Sequence, residues 1–81
     1  MPSAYVLITC ELGYEDQTVN DLNKLTGVDA TRLAGAYDII AKINAESTES
    51  LTKTIGLDIK KVERIQSTVT LTVIEENQEE G

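Results

Sequence analysis

The spacing of apolar residues changes period along this chain, and the same succession of periods occurs twice. From Ala4 to Glu11 the alternation is strict: Val6, Ile8 and Cys10 point one way, Tyr5, Leu7 and Thr9 the other, which is the period of a β-strand. Leu12-Gly13-Tyr14 turns the chain. Glu15 and Asp16 then open a helix, with negative charge at the positive end of its dipole. Val19, Leu22 and Leu25 supply one apolar stripe, and Gly27 follows as a stop signal. A second strand is predicted over Val28 to Ala34. A third runs over Asp38 to Ala45, with Ile39, Ala41 and Ile43 on one face.

The second half repeats the scheme. Ser47 is an N-cap with Glu49 in the turn behind it, and Leu51, Ile55, Ile59 and Val62 form the stripe of a second helix. Two residues fit that helix badly. Gly56 costs ~1 kcal/mol relative to alanine, and Asp58 lies inside the stripe, so the helix is expected to fray or project past the sheet near its end. Ile65 to Glu75 is predicted as the last and most regular strand, in which Val69, Leu71 and Val73 alternate with Thr68, Thr70 and Thr72. Two successive βαβ units of this length make an α+β, ferredoxin-like βαββαβ domain. Its four-stranded antiparallel sheet carries both helices on one face, as the right-handed crossover rule requires. The domain is expected to span residues 1–75, with residues 76–81 as an acidic, disordered tail.

The helices are expected to cover the face bearing Val6, Ile8, Ile39, Ala41, Ile43, Val69, Leu71 and Val73. The other face then carries Tyr5, Leu7, Ile40, Ile74 and the row Thr68, Thr70 and Thr72. A solvent-facing sheet normally puts charges on its outer row. Here those positions are largely apolar or threonine, which suits either an ordinary strand surface or a sheet face buried against a second copy. Size favours the second, because so short a chain buries only about 60% of its extended surface and gains from association. Cys10 is the only cysteine and histidine is absent, so neither an intrachain disulfide nor an imidazole metal site can supply the difference. A homodimer using Tyr5, Leu7, Ile40, Thr68, Thr70 and Thr72 is expected.

Composition also excludes chemistry. Without histidine there is no Ser-His or Cys-His pair, and Cys10 falls mid-strand on the helix side, where a buried inert thiol is the rule. No nucleophile with its base, metal cluster or Cys-x-x-Cys loop is present, so neither an enzyme nor a cofactor is expected. The formal charge is −7, with Glu75, Glu76, Glu79 and Glu80 in the last seven positions. Lys60, Lys61 and Arg64 are the nearest thing to a basic cluster and read as a helix's last turn, so direct nucleic-acid binding is disfavoured. A sheet that binds RNA through stacking needs aromatics, and Tyr5 is the only one on a strand. No long apolar run or basic leader precedes the first strand; with a lone thiol, this implies a cytoplasmic setting without membrane contact.

One stretch remains, Leu33-Ala34-Gly35-Ala36-Tyr37-Asp38-Ile39-Ile40. It reads as a strand end, a glycine turn and a strand start, with Asp38 able to accept from turn N–H groups or from a ligand's amine. By residue chemistry alone it is an ordinary hairpin whose aspartate staples its own turn.

In context the chain resembles the effector-binding (RAM) domain of the Lrp/AsnC family of prokaryotic transcription regulators. The matching segments are Ala4-Tyr5-Val6-Leu7-Ile8, Glu11-Leu12-Gly13, Thr26-Gly27-Val28, Gly35-Ala36-Tyr37-Asp38-Ile39-Ile40 and Ile65-Gln66-Ser67-Thr68-Val69-Thr70-Leu71, in order from Ala4 to about Ile74. Two positions depart from the pattern: Thr54 replaces a large apolar residue, and Arg64-Ile65 replaces Gly-Val. The resemblance implies dimers of an α/β-barrel type formed through the sheets, and larger rings of dimers. It also implies a small effector, usually an amino acid, held between subunits near Leu33, Gly35, Ala36, Tyr37 and Asp38. Because the chain starts just before its first strand, a stand-alone form without the helix-turn-helix is expected, acting by mixed assembly with a full-length relative. The alternatives are a ligand-free oligomerisation module or an ACT-like regulatory domain of the same topology.

Overall fold

The strand with the clearest alternation sits in the middle of the sheet. In β1 (Ser3–Cys10), Ala4, Val6, Ile8 and Cys10 are buried while Tyr5, Leu7 and Thr9 are half-buried. The computed structural model describes residues 2–72. It pairs β1 antiparallel with β3 (Ile39–Asn44) on one side and with β4 (Ile65–Thr72) on the other, and β2 (Val28–Arg32) closes the order β2-β3-β1-β4. This is the ferredoxin-like order. The predicted strand stretch Val73–Glu75 and the tail 76–81 lie outside the described residues. β2 stops at Arg32 and β3 starts at Ile39, so the connection between them is wider than the alternation predicted.

Helix α1 (Glu15–Asn23) opens on its two acids and lays Thr18 and Leu22 into the core, with Val19 and Leu25 packed beside them. Thr18 is the one polar residue buried there among the described residues, and its hydroxyl donates to the Tyr14 carbonyl at 2.7 Å, so no hydrogen bond is lost. Gly27 ends the connection to β2 with φ +80°, and its carbonyl accepts from Asn44 N–H at 2.9 Å. A Cβ at this position would collide with the Asn44 carbonyl oxygen. Both conformation and space therefore demand glycine.

The second helix does not fray. It changes its winding. After α2 (Thr48–Lys53), capped by Ser47 Oγ accepting from Ser50 N–H at 3.1 Å, the chain makes a π turn over Thr54–Asp58. It then tightens into a 3₁₀ turn over Ile59–Lys61. Leu51 and Ile59 are both buried, eight positions apart. On an unbroken α-helix that separation leaves them roughly 80° out of phase. A π turn absorbs one extra residue, which brings the offset back to roughly 20°. The misfit of Gly56 and Asp58 in the stripe is thus resolved by a wider turn rather than by melting.

The core is a single layer between sheet and helices, built on Val6, Ile8, Leu22, Ile39, Ile43 and Ile59. The expected split of β4 is inverted. Opposite residues of an antiparallel pair share a face, and the register sets Leu7 against both Ile40 and Val69, and Tyr5 against both Lys42 and Leu71. Val69 and Leu71 therefore lie on the open face, and Thr68, Thr70 and Thr72 lie on the helix side. The cause is a bulge. Thr9 pairs with Ser67 but Cys10 with Ile65, leaving Gln66 as an extra residue. Ile65 packs on the core as its apolar character predicts, and the extra residue then flips the parity of everything after it.

Candidate functional site

The connection between β2 and β3 is a six-residue bend, Leu33 to Asp38, tied at its base by three bonds. Leu33 N–H donates to the Asp38 carbonyl at 2.8 Å, Asp38 N–H to the Ile8 carbonyl at 3.0 Å, and Cys10 N–H to Asp38 Oδ2 at 2.9 Å. The carboxylate thus prolongs the pairing of β1 with β3 beyond Ile8 and Ile39, and fixes the end of a central strand to the root of the loop. The staple expected of Asp38 is there, but its partner lies in β1 rather than in its own turn. Gly35 takes φ +151°, with open space where a Cβ would stand, so the backbone shape and not crowding calls for glycine. Leu33, Gly35 and Ala36 are exposed, and Tyr37 and Asp38 half-buried. The N–H groups from Ala34 to Tyr37 have no protein acceptor among the described residues.

All five residues expected at a ligand site lie in this one loop. Its N–H groups from Ala34 to Tyr37 are without a protein acceptor among the described residues, and its Asp38 carboxylate has one oxygen bonded to Cys10 N–H. The cleft of about 500 Å³ between the helical segment and the other end of the sheet includes none of them. A molecule held at this loop needs a second wall.

The thiol of Cys10, whose N–H bonds Asp38, is buried. Burial pushes Cys10 above the ordinary thiol range, the carboxylates of Asp38 and Glu15 push the same way, and the Thr18 hydroxyl opposes them. Among the described residues no group of acids and cysteine could hold a metal ion, and no helix is long and apolar enough to cross a membrane.

The open face brings together Tyr5, Leu7 and Ile40 as expected, all half-buried. Val69 and Leu71, 40% and 47% exposed, replace the threonines beside them. Lys42 Nζ stands 6.0 Å from the centre of the Tyr5 ring, and the Thr9 and Ser67 hydroxyls meet at 2.6 Å. Nothing in the composition of Ile65-Gln66-Ser67 marks the bulge, so no sequence signal would have found Val69 and Leu71 on this side.

The order of strands and the placement of both helices define a small α+β domain of ferredoxin-like topology. Its sequence is more specific than that: the chain belongs to the family of the Lrp/AsnC ligand binding domain, whose model matches residues 3–81. Among solved structures, the hypothetical protein PHS023 from Pyrococcus horikoshii is 28% identical, with all of this chain covering 99% of that one at a TM-score of 0.84. FFRP-DM1 is 29% identical, with 91% of this chain covering all of it, again at 0.84. E. coli AsnC is 25% identical at a TM-score of 0.82; 91% of this chain covers 51% of AsnC, so the likeness spans about half of that protein. No curated protein matches the chain. The resemblance drawn from the Gly35–Ile40 segment and its neighbours is thereby borne out, and so is the fold.

Proposed function

We propose that this chain is a regulatory domain that binds a small effector, an amino acid, at the Leu33–Asp38 loop in a cleft completed by a neighbouring subunit. The observation that carries the reading is the loop itself, in which a run of N–H groups without acceptors among the described residues precedes a half-committed carboxylate, in a family defined by ligand binding. The free N–H groups of Ala34 to Tyr37 hold the effector's carboxylate. Asp38 accepts from its ammonium through the oxygen that Cys10 leaves free. Tyr37 packs on the effector's side chain or on the adjoining subunit. The subunits pair through the open face, with Tyr5, Leu7 and Ile40 joined by Val69 and Leu71. Thr68, Thr70 and Thr72 do not belong to that interface. Rings of such dimers, or mixed assembly with a full-length Lrp/AsnC regulator in the cytoplasm, pass the effector signal to transcription without this domain touching DNA or performing catalysis.

Calorimetric titration with a panel of amino acids tests the reading. Asp38→Asn keeps an acceptor for Cys10 N–H while removing the charge, and should weaken a confirmed effector by about 1.5–3 kcal/mol. Unchanged affinity would show that the role given to Asp38 is wrong. One observation favours a second reading, a ligand-free oligomerisation module: the bond from Cys10 gives Asp38 a structural task sufficient to explain its presence. Failure of every amino acid to bind, with the assembly intact, selects that reading.

A further inference from the structure

The cleft of about 500 Å³ lies at the end of the sheet where β2 begins and β3 ends, opposite the Leu33–Asp38 loop. Gly27 and Asn44 line it, and their backbones are clamped together by the Asn44 N–H bond to the Gly27 carbonyl. The space a Gly27 side chain would take is filled by the Asn44 carbonyl, so this wall of the cleft is backbone and admits only glycine. Across from them stands the wall formed by the helical segment. Thr54 opens the π turn there and Asp58 ends it. The change of winding that seats Ile59 in the core also carries Asp58, one residue before it, round to the cleft. π turns inserted in helices occur frequently at functional sites.

Three charged side chains reach this cleft: Lys53 from the helical wall, Asp58 beside it and Glu46 from the chain after β3. The ion pairs among the described residues are Asp21 with Lys24, Asp16 with Arg32 and Glu11 with Arg64, and none of the three takes part. One uncommitted cation and two uncommitted carboxylates on one concave surface match a molecule that carries both charges a few bonds apart. The volume suits a small ligand with a side chain of its own.

We infer that the cleft between Gly27, Asn44 and the π turn is a binding site for a free amino acid, with its carboxylate on Lys53 and its ammonium between Glu46 and Asp58. The site is separate from the hairpin loop and does not depend on that loop binding anything.

Amide NMR of the isotope-labelled protein, titrated in turn with each standard amino acid, tests this. The amides of Thr26, Gly27 and Lys53 to Asp58 should move. For the amino acid that binds best, its N-acetyl and its carboxamide derivatives should each bind at least about tenfold more weakly, because each lacks one of the two charges. Lys53→Met and Asp58→Asn should weaken the amino acid likewise, while Asp38→Asn leaves these shifts as they are. Unchanged spectra away from the cleft verify that the variants stay folded. The inference is overturned if no amino acid moves these amides, if the derivatives bind as well as the parent, or if the two variants leave binding intact. Shifts confined to Ala34–Asp38 and abolished by Asp38→Asn would overturn it while upholding the hairpin reading.

Discussion

The two edges of the sheet are finished differently. At β2 the free edge is sealed from within the chain: Asn23, the last residue of α1, accepts from Ala30 N–H at 2.7 Å and donates to the Ala30 carbonyl at 3.2 Å. Its carboxamide stands in for another strand. Further along, Arg32 reaches Asp16 at 3.0 Å, an exposed pair that contributes little. At β4 no such device exists among the described residues. Val69 and Leu71 are exposed on one face, Thr70 and Thr72 on the other, and the helices leave the strand uncovered. Edge strands invite pairing unless something blocks them. One side chain of α1 completes the β2 edge; on the assembly reading a second subunit covers the open face to which β4 contributes Val69 and Leu71.

The closed side can be broken most severely at Gly27. Gly27→Ala drives a Cβ into the Asn44 carbonyl at a positive φ and should cost about 3 kcal/mol. A urea midpoint equal to the wild type's would mean that the clamp between these backbones is soft. Next comes the seal itself. Asn23→Ala leaves the Ala30 N–H and carbonyl without their partner, and a loss of about 2 kcal/mol is expected. Asn23→Asp, which can accept but not donate, should fall between that variant and the wild type in the same denaturation experiment.

The winding of the helical segment comes next. Gly56 lies within the π turn with open space where a Cβ would go, so Gly56→Ala should stabilise by about 0.5–1 kcal/mol. A lowered melting temperature would indicate that the π turn needs the glycine's freedom. The smallest effect on the isolated fold is expected at the bare edge: Val69→Lys should change subunit stability by no more than about 0.5 kcal/mol. Its consequence is instead in mass. Light scattering should show Val69→Lys reduced to monomers and Thr70→Lys unaffected, because the two residues lie on opposite faces. The reverse outcome would restore the threonine row to the interface.

What the sequence determined by itself is local. The alternation in β1, the acidic start of α1 and the Ser47 cap are written in runs of a few residues, because strand and helix periods and caps act over a turn or less; Gly27, expected as the helix stop, instead lies past the end of α1 and serves the close approach to Asn44. With the order of elements, those signals were enough for the ferredoxin-like topology. They also singled out the exposed loop from Leu33 to Asp38. What they could not reach depends on partners far along the chain. The parity of β4 hangs on a one-residue slip between Cys10 and Ile65, made where a strand end must match both the core and its neighbour. The phase of the second helix was decided by the need to bury both Leu51 and Ile59, which α-winding alone does not satisfy. Asp38 found its partner in Cys10, and Ala30 found its seal in Asn23, only once the sheet had brought them together. Hydrogen bonds and register are pairwise, so a pattern read along one segment cannot fix them; packing chose them when the segments met.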